Sequence, residues 1–111
     1  MKGIQKLSEN SVIVHTEICN GFVFFVVMHS IPKLHPWLCG YVVIPNCHPL
    51  SNVPMDYDYL DEIECHGGIT FCEKIDTNVI IGFDCHHSCD EYNPKDLEFV
   101  IFECKNIINQ L

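Results

Sequence analysis

The chain has no arginine. Its six cationic residues are all lysine (Lys2, Lys6, Lys33, Lys74, Lys95 and Lys105), set against 15 acidic side chains for a formal net charge of −9. A nucleic-acid groove uses clustered Lys and Arg to displace the counterions of the phosphate backbone, so direct binding of DNA or RNA is not expected. There is also no Cys-x-x-Cys pair among the eight cysteines, which removes the usual spacing of a zinc ribbon or knuckle. No apolar run approaches the roughly 20 residues that span a bilayer, and the longest, Phe22 to Met28, is the size of a strand. The opening Met1-Lys2-Gly3-Ile4-Gln5-Lys6-Leu7 lacks the apolar core and cleavage site of a signal peptide. A cytosolic protein without membrane contact is the expectation. In that reducing setting free cysteines behave as small hydrophobes.

What is there in quantity is apolar. At 111 residues with 48% hydrophobic content, residues 1–111 form one domain able to bury a core. Val12-Ile13-Val14 opens a strand. Asn20-Gly21 makes a hairpin turn, because those residues accept the positive φ angles that a tight turn needs. Phe22 to His29 is apolar on both faces and fits a central strand, and Leu38 to Ile44 supplies another before Pro45. Residues 45 to 60, with three prolines, read as a surface excursion. Glu62 to His66, Gly67-Gly68 and Ile69 to Glu73 predict a hairpin with a two-residue glycine turn. It would put Glu64, His66, Ile69 and Phe71 on one face and Ile63, Cys65, Thr70 and Cys72 on the other. Asp76-Thr77-Asn78 turns the chain into a strand from Val79 to Asp84, and a meander of these segments would bring His66 and Asp84 to one face. Asn93 and Pro94 suit the start of a helix. Leu97, Val100, Ile101, Cys104, Ile107 or Ile108, and Leu111 form its apolar stripe. The predicted fold is α+β: a twisted antiparallel sheet of about five strands with a C-terminal helix packed on one face.

Chemistry concentrates between Glu64 and Asp90. Glycines at 67 and 68 let a backbone approach a ligand closely, as in phosphate-cradling turns, with His66 beside them to donate or move a proton. The bland alternative is a plain turn with an exposed histidine. Asp84-Cys85-His86-His87-Ser88-Cys89-Asp90 sits where a strand gives way to a loop, the usual place for a site. Cys85, His87 and Asp90 are metal-competent, so zinc is a minority alternative to a metal-free pocket. His66 paired with Cys85 or Cys89 would be the geometry for a Cys–His dyad. Trp37, Tyr41, Tyr57, Tyr59 and Tyr92 lie in or near predicted loops, where a ring can stack on a base or cap the core.

The same residues carry a resemblance. Gly40-Tyr41-Val42, His48-Pro49-Leu50, His66-Gly67-Gly68-Ile69-Thr70-Phe71 and Gly82-Phe83-Asp84-Cys85 with His87 and Asp90 resemble a small bacteriophage and prophage protein family. Its running pattern is Gly-Tyr-Val, His-Pro-Leu, His-Gly-Gly-Leu-Thr-Phe and Gly-Phe-Asp-Cys-Ala-His-x-Gly-Asp, closed by a helix. The match covers roughly residues 38 to 111 and departs at His86, where alanine is usual, and at Cys89, where glycine is usual. It implies a phage protein acting in the cytoplasm of a bacterial host.

The resulting expectation is a counter-defence protein that sequesters a small nucleotide immune signal. His66, Gly67, Gly68, Thr70, Asp84, His87 and Asp90 would form the binding site, without a cofactor, in a homo-oligomer. Two alternatives stay open. One is an acidic inhibitor of a basic host defence protein such as a nuclease or CRISPR effector. The other is a hydrolase of the nucleotide through His66, Asp84 and His87.

Overall fold

Asn20 and Gly21 adopt φ angles of 51° and 82°, and the two strands they join run antiparallel from that point. A computed structural model of the protein describes residues 11–30, 36–45, 62–84 and 96–111. Within them are β1 (Val12–Cys19), β2 (Phe22–His29), β3 (Trp37–Ile44), β4 (Phe71–Ile75), β5 (Asn78–Asp84) and α1 (Leu97–Asn109). All strand pairs are antiparallel, in the order β1-β2-β3-β5-β4. The β4–β5 hairpin is thus inserted with its second strand against β3. The expected α+β architecture is what forms: a five-stranded antiparallel sheet with the C-terminal helix on one face.

Side-chain alternation divides the sheet into two apolar layers. Phe24, Val26, Val42, Ile44, Val79, Ile81 and Phe83 face the helix and meet its buried stripe of Val100, Cys104, Ile107 and Ile108. Phe25, Val27, Cys39, Tyr41, Ile75 and Ile80 form the layer on the other face. Two glycines set the spacing of these layers. A Cβ on Gly40 would lie 2.6 Å from the Phe83 ring and 2.7 Å from the Cys104 Sγ, and one on Gly82 would lie 2.6 Å from the Tyr41 ring. Gly40 stands directly opposite Phe83, and Tyr41 opposite Gly82. Each glycine therefore makes room for an aromatic ring, one on each face.

Three expectations need correction. The helix is capped by Asp96, whose carboxylate accepts from the Phe99 N–H at 2.8 Å, rather than by Asn93, and it begins at Leu97. The predicted strand from Glu62 to His66 does not form either. Instead the Gly68 N–H donates to the Cys65 carbonyl at 3.0 Å, and Gly67 takes a φ of 71° at the third turn position, as a type II turn requires. The chain reverses one residue earlier than a Gly-Gly hairpin would. The cause is the helix, whose side chains supply the hydrogen bonds a neighbouring strand would have given. Gln110 Oε1 accepts from the Glu64 N–H (2.7 Å), while Gln110 Nε2 and Asn106 Nδ2 donate to the Glu64 carbonyl (2.8 and 3.0 Å). Glu103 Oε1 accepts from the His66 N–H at 2.9 Å. Backbone groups satisfied in this way have no need of a sheet partner. Ile63 is drawn into the helix-side core with Cys65, Ile69 and Cys72 against it. Phe71 packs on the opposite face, so Ile69 and Phe71 do not share a face as expected.

Candidate functional site

The glycine turn is held by the helix. The His66 ring meets Phe99 edge-on with centroids 5.4 Å apart. The His66 and Gly68 amides are donated to the Glu103 carboxylate and the Cys65 carbonyl. A phosphate cradle needs such amides directed at the ligand, and here a carboxylate already occupies the His66 N–H. The turn is better described as a docking point between the 62–68 segment and α1.

Thr70 and Asp84 do come together. The Thr70 N–H continues the β4–β5 ladder to the Gly82 carbonyl (2.9 Å), and its hydroxyl donates to Asp84 Oδ2 at 3.2 Å. Asp84 occupies the strand face shared with Ile80, away from the helix, whereas the His66 ring lies on the helix. The anticipated meeting of His66 and Asp84 on one face does not occur. His87, Asp90 and Cys85 lie outside the described residues, as do Tyr57, Tyr59 and Tyr92.

Strand register determines what does surround Asp84. Cys39 stands directly opposite it on β3, Val27 opposite Cys39 on β2, and His29 opposite Trp37 one step further along. The His29 ring stacks on Trp37 (centroids 5.4 Å apart, 27° between planes), and its Nδ1 is 2.7 Å from the Ser11 hydroxyl. Along the adjoining row Tyr41 stacks on Phe25 at 5.1 Å and meets Phe71 edge-on at 5.3 Å, over the space left by Gly82. Tyr41 is buried within β3 rather than placed near a loop. Thr70 is exposed and Asp84, Trp37 and Phe71 are half-buried, so the group has an open rim above a closed aromatic floor.

Burial dominates the electrostatics. It lowers the pKa of His29, against the charge of Asp84, which raises it. Burial, reinforced by the Asp84 charge, pushes the Cys39 thiol up to about 12, despite hydrogen bonds with Tyr41 and Trp37 that act the other way. The Tyr41 phenol is raised first by burial, then by Cys39 and Asp84. A thiol held protonated is a poor nucleophile and a poor metal ligand. The constellation of a buried neutral imidazole, an uncharged thiol and phenol, and one carboxylate is suited to accepting and donating hydrogen bonds rather than to covalent catalysis. Among the described residues no group of three or more His, Cys, Asp or Glu side chains is placed to hold a metal ion. Nor is any helix among them long and apolar enough to cross a membrane.

Comparison with protein families, curated protein sequences and solved structures found no match to the chain. Of the site residues named from sequence, the structure joins Thr70 and Asp84 and places the His66 ring against Phe99 of the helix. Sequence reasoning missed His29 and Cys39. One signal was available: His29 is the polar end of an otherwise apolar central strand, and such an imidazole requires partners.

Proposed function

We propose that this protein captures a small nucleotide-type ligand without turning it over, with Asp84 and Thr70 as the polar contacts and the Trp37–His29 pair as the aromatic wall. The observation that carries the reading is the Thr70–Asp84 pair at the open rim of an aromatic layer, beside a thiol that burial keeps protonated. The Asp84 carboxylate selects donors, such as the hydroxyls of a ribose or the amino group of a base. The contacts named here suit the nucleoside portion of such a ligand. The resemblance to a phage family gives the biological setting: a counter-defence factor that sequesters a host immune signal.

Isothermal titration against cyclic nucleotides, ADP-ribose derivatives and their parent nucleosides tests this. Binding is expected to survive loss of phosphate better than loss of a ribose hydroxyl, and to weaken at least about tenfold in Asp84→Asn, the scale of one charge-assisted hydrogen bond. Silence across the panel refutes the reading. Ligand recovered chemically intact after denaturation supports capture, and recovery of a hydrolysed product would instead favour the hydrolase.

The excess of 15 acidic over 6 basic residues favours a second reading, an acidic inhibitor of a basic defence protein such as a nuclease or CRISPR effector. Electrostatically steered association of that kind weakens steeply with salt. Co-purification insensitive to ionic strength would remove it.

A further inference from the structure

β1 ends the sheet with an apolar edge. Val12, Ile13, Val14 and Ile18 are 53%, 52%, 39% and 70% exposed, and the strand contains no lysine, arginine or proline. Edge strands are normally protected by such residues, because their unpaired backbone groups invite another strand. Among the described residues, the protective feature at this edge is a bulge between Ile13 and His15.

The direction of the unpaired groups follows from the turn. A two-residue turn at Asn20-Gly21 makes Cys19 and Phe22 a hydrogen-bonded pair, and alternation along an antiparallel ladder makes Glu17–Phe24 and His15–Val26 bonded pairs as well. Thr16 and Ile18 therefore direct their N–H and C=O groups away from β2, where no described residue pairs with them. Carboxylate repulsion does not protect this edge, since Glu17 is held by Lys105 and by His15, each at 2.9 Å.

We propose that β1 pairs with β1 of a second copy, antiparallel about a two-fold axis at Thr16, joining two sheets into one. In that register Thr16 exchanges both backbone hydrogen bonds with its own counterpart. Val14 stands opposite Ile18 of the second copy, and His15 opposite its Glu17. Apolar meets apolar and imidazole meets carboxylate, as an isologous interface requires of a single patch. A centre one residue later would set Glu17 against Glu17 and would aim bonded groups at the seam. This self-complementarity favours a second copy over an unrelated strand. The bulge at Val14 limits the seam to about five residues a side, which predicts a weak, concentration-dependent dimer.

Sedimentation velocity over a concentration series into the millimolar range tests the proposal. The parent should pass from monomer to dimer. Thr16→Pro removes an outward donor that β2 does not use, and Ile18→Lys places a charge on the seam. Each should weaken the dimer at least tenfold while leaving the circular dichroism of the parent unchanged. Phe102, 70% exposed on α1, is the control, and Phe102→Ser should leave the dimer intact. Three results would overturn the proposal: a parent that stays monomeric throughout, a dimer that survives both strand variants, or equal loss in the Phe102 variant.

Discussion

Replacing Gly40 with alanine inserts a single methyl group between the sheet and the helix. An unstrained carbon contact lies at about 3.5–4.0 Å, but this Cβ would stand 2.6 Å from Phe83 Cε1, 2.7 Å from Cys104 Sγ and 2.8 Å from Phe83 Cζ. Phe83 and Cys104 are 1% and 0% exposed, so neither can swing into solvent. The ring or the helix must move by roughly 1 Å, and overpacking of this kind costs about 1–3 kcal/mol. Alanine recovers about 0.5–1 kcal/mol of the backbone entropy that glycine gives up in a strand. The net loss spans about 0–2.5 kcal/mol and centres near 1 kcal/mol, or about 4 °C in Tm at ~4 °C per kcal/mol for a domain of this size. Urea unfolding followed by the fluorescence of the single tryptophan, Trp37, measures it. The decisive experiment is the cycle with Phe83→Leu, which deletes the ring atoms that clash. Phe83→Leu alone should destabilise, but Gly40→Ala should then cost clearly less, keeping only its 2.7 Å approach to Cys104 Sγ, and the difference is the coupling between the two positions. Gly40→Ala more stable than the parent, or equally costly in both backgrounds, would refute the packing argument.

Two further outcomes follow from burial. Cys39, pushed up to about 12, and Cys65, pushed up to about 11, should resist alkylation at pH 8 in the native state and react only with unfolding, as peptide mapping after timed labelling would show; fast native labelling of Cys39 would refute the closed floor. Because the His29 pKa is lowered on folding, the unfolded chain binds more protons, so this residue's effect on stability is absent above the unfolded value of about 6.5 and grows unfavourable as pH falls below it. Urea midpoints should therefore drop between pH 7 and 5 with a smaller slope in His29→Gln, and identical slopes would contradict the assignment.

What could be read from sequence was whatever one segment settles by itself. Asn20-Gly21 specifies the β1–β2 turn through its φ angles, and the spacing of Val100, Cys104, Ile107 and Ile108 specifies the buried side of α1. Glu62 to His66 looked like a strand because Ile63 and Cys65 alternate with polar residues. Glu103, Asn106 and Gln110, some 40 residues away, decide otherwise by taking over the backbone hydrogen bonds of Glu64 and His66. In sequence these three residues are only the polar side of an amphipathic helix. The surroundings of Asp84 were hidden for a similar reason. His29, Cys39 and Asp84 come from three strands, and their proximity depends on β5 lying beside β3, an order that local pattern does not encode.

The Gly-Tyr-Val and Gly-Phe-Asp motifs acquire a division of labour from that order. Gly40 pairs with Phe83 and Tyr41 with Gly82, so the two motifs are one packing unit: each glycine is the vacancy its partner's ring fills, on opposite faces of the sheet. Four residues of the motifs that carry the resemblance are thereby accounted for by sterics. Asp84 is set apart from them by its charge, which raises the thiol and phenol beside it. Its charge, bonded by the exposed Thr70 hydroxyl, is the feature that the proposed reading assigns to a ligand. The pair Thr70–Asp84, rather than the glycine turn, is therefore where a ligand should be sought first.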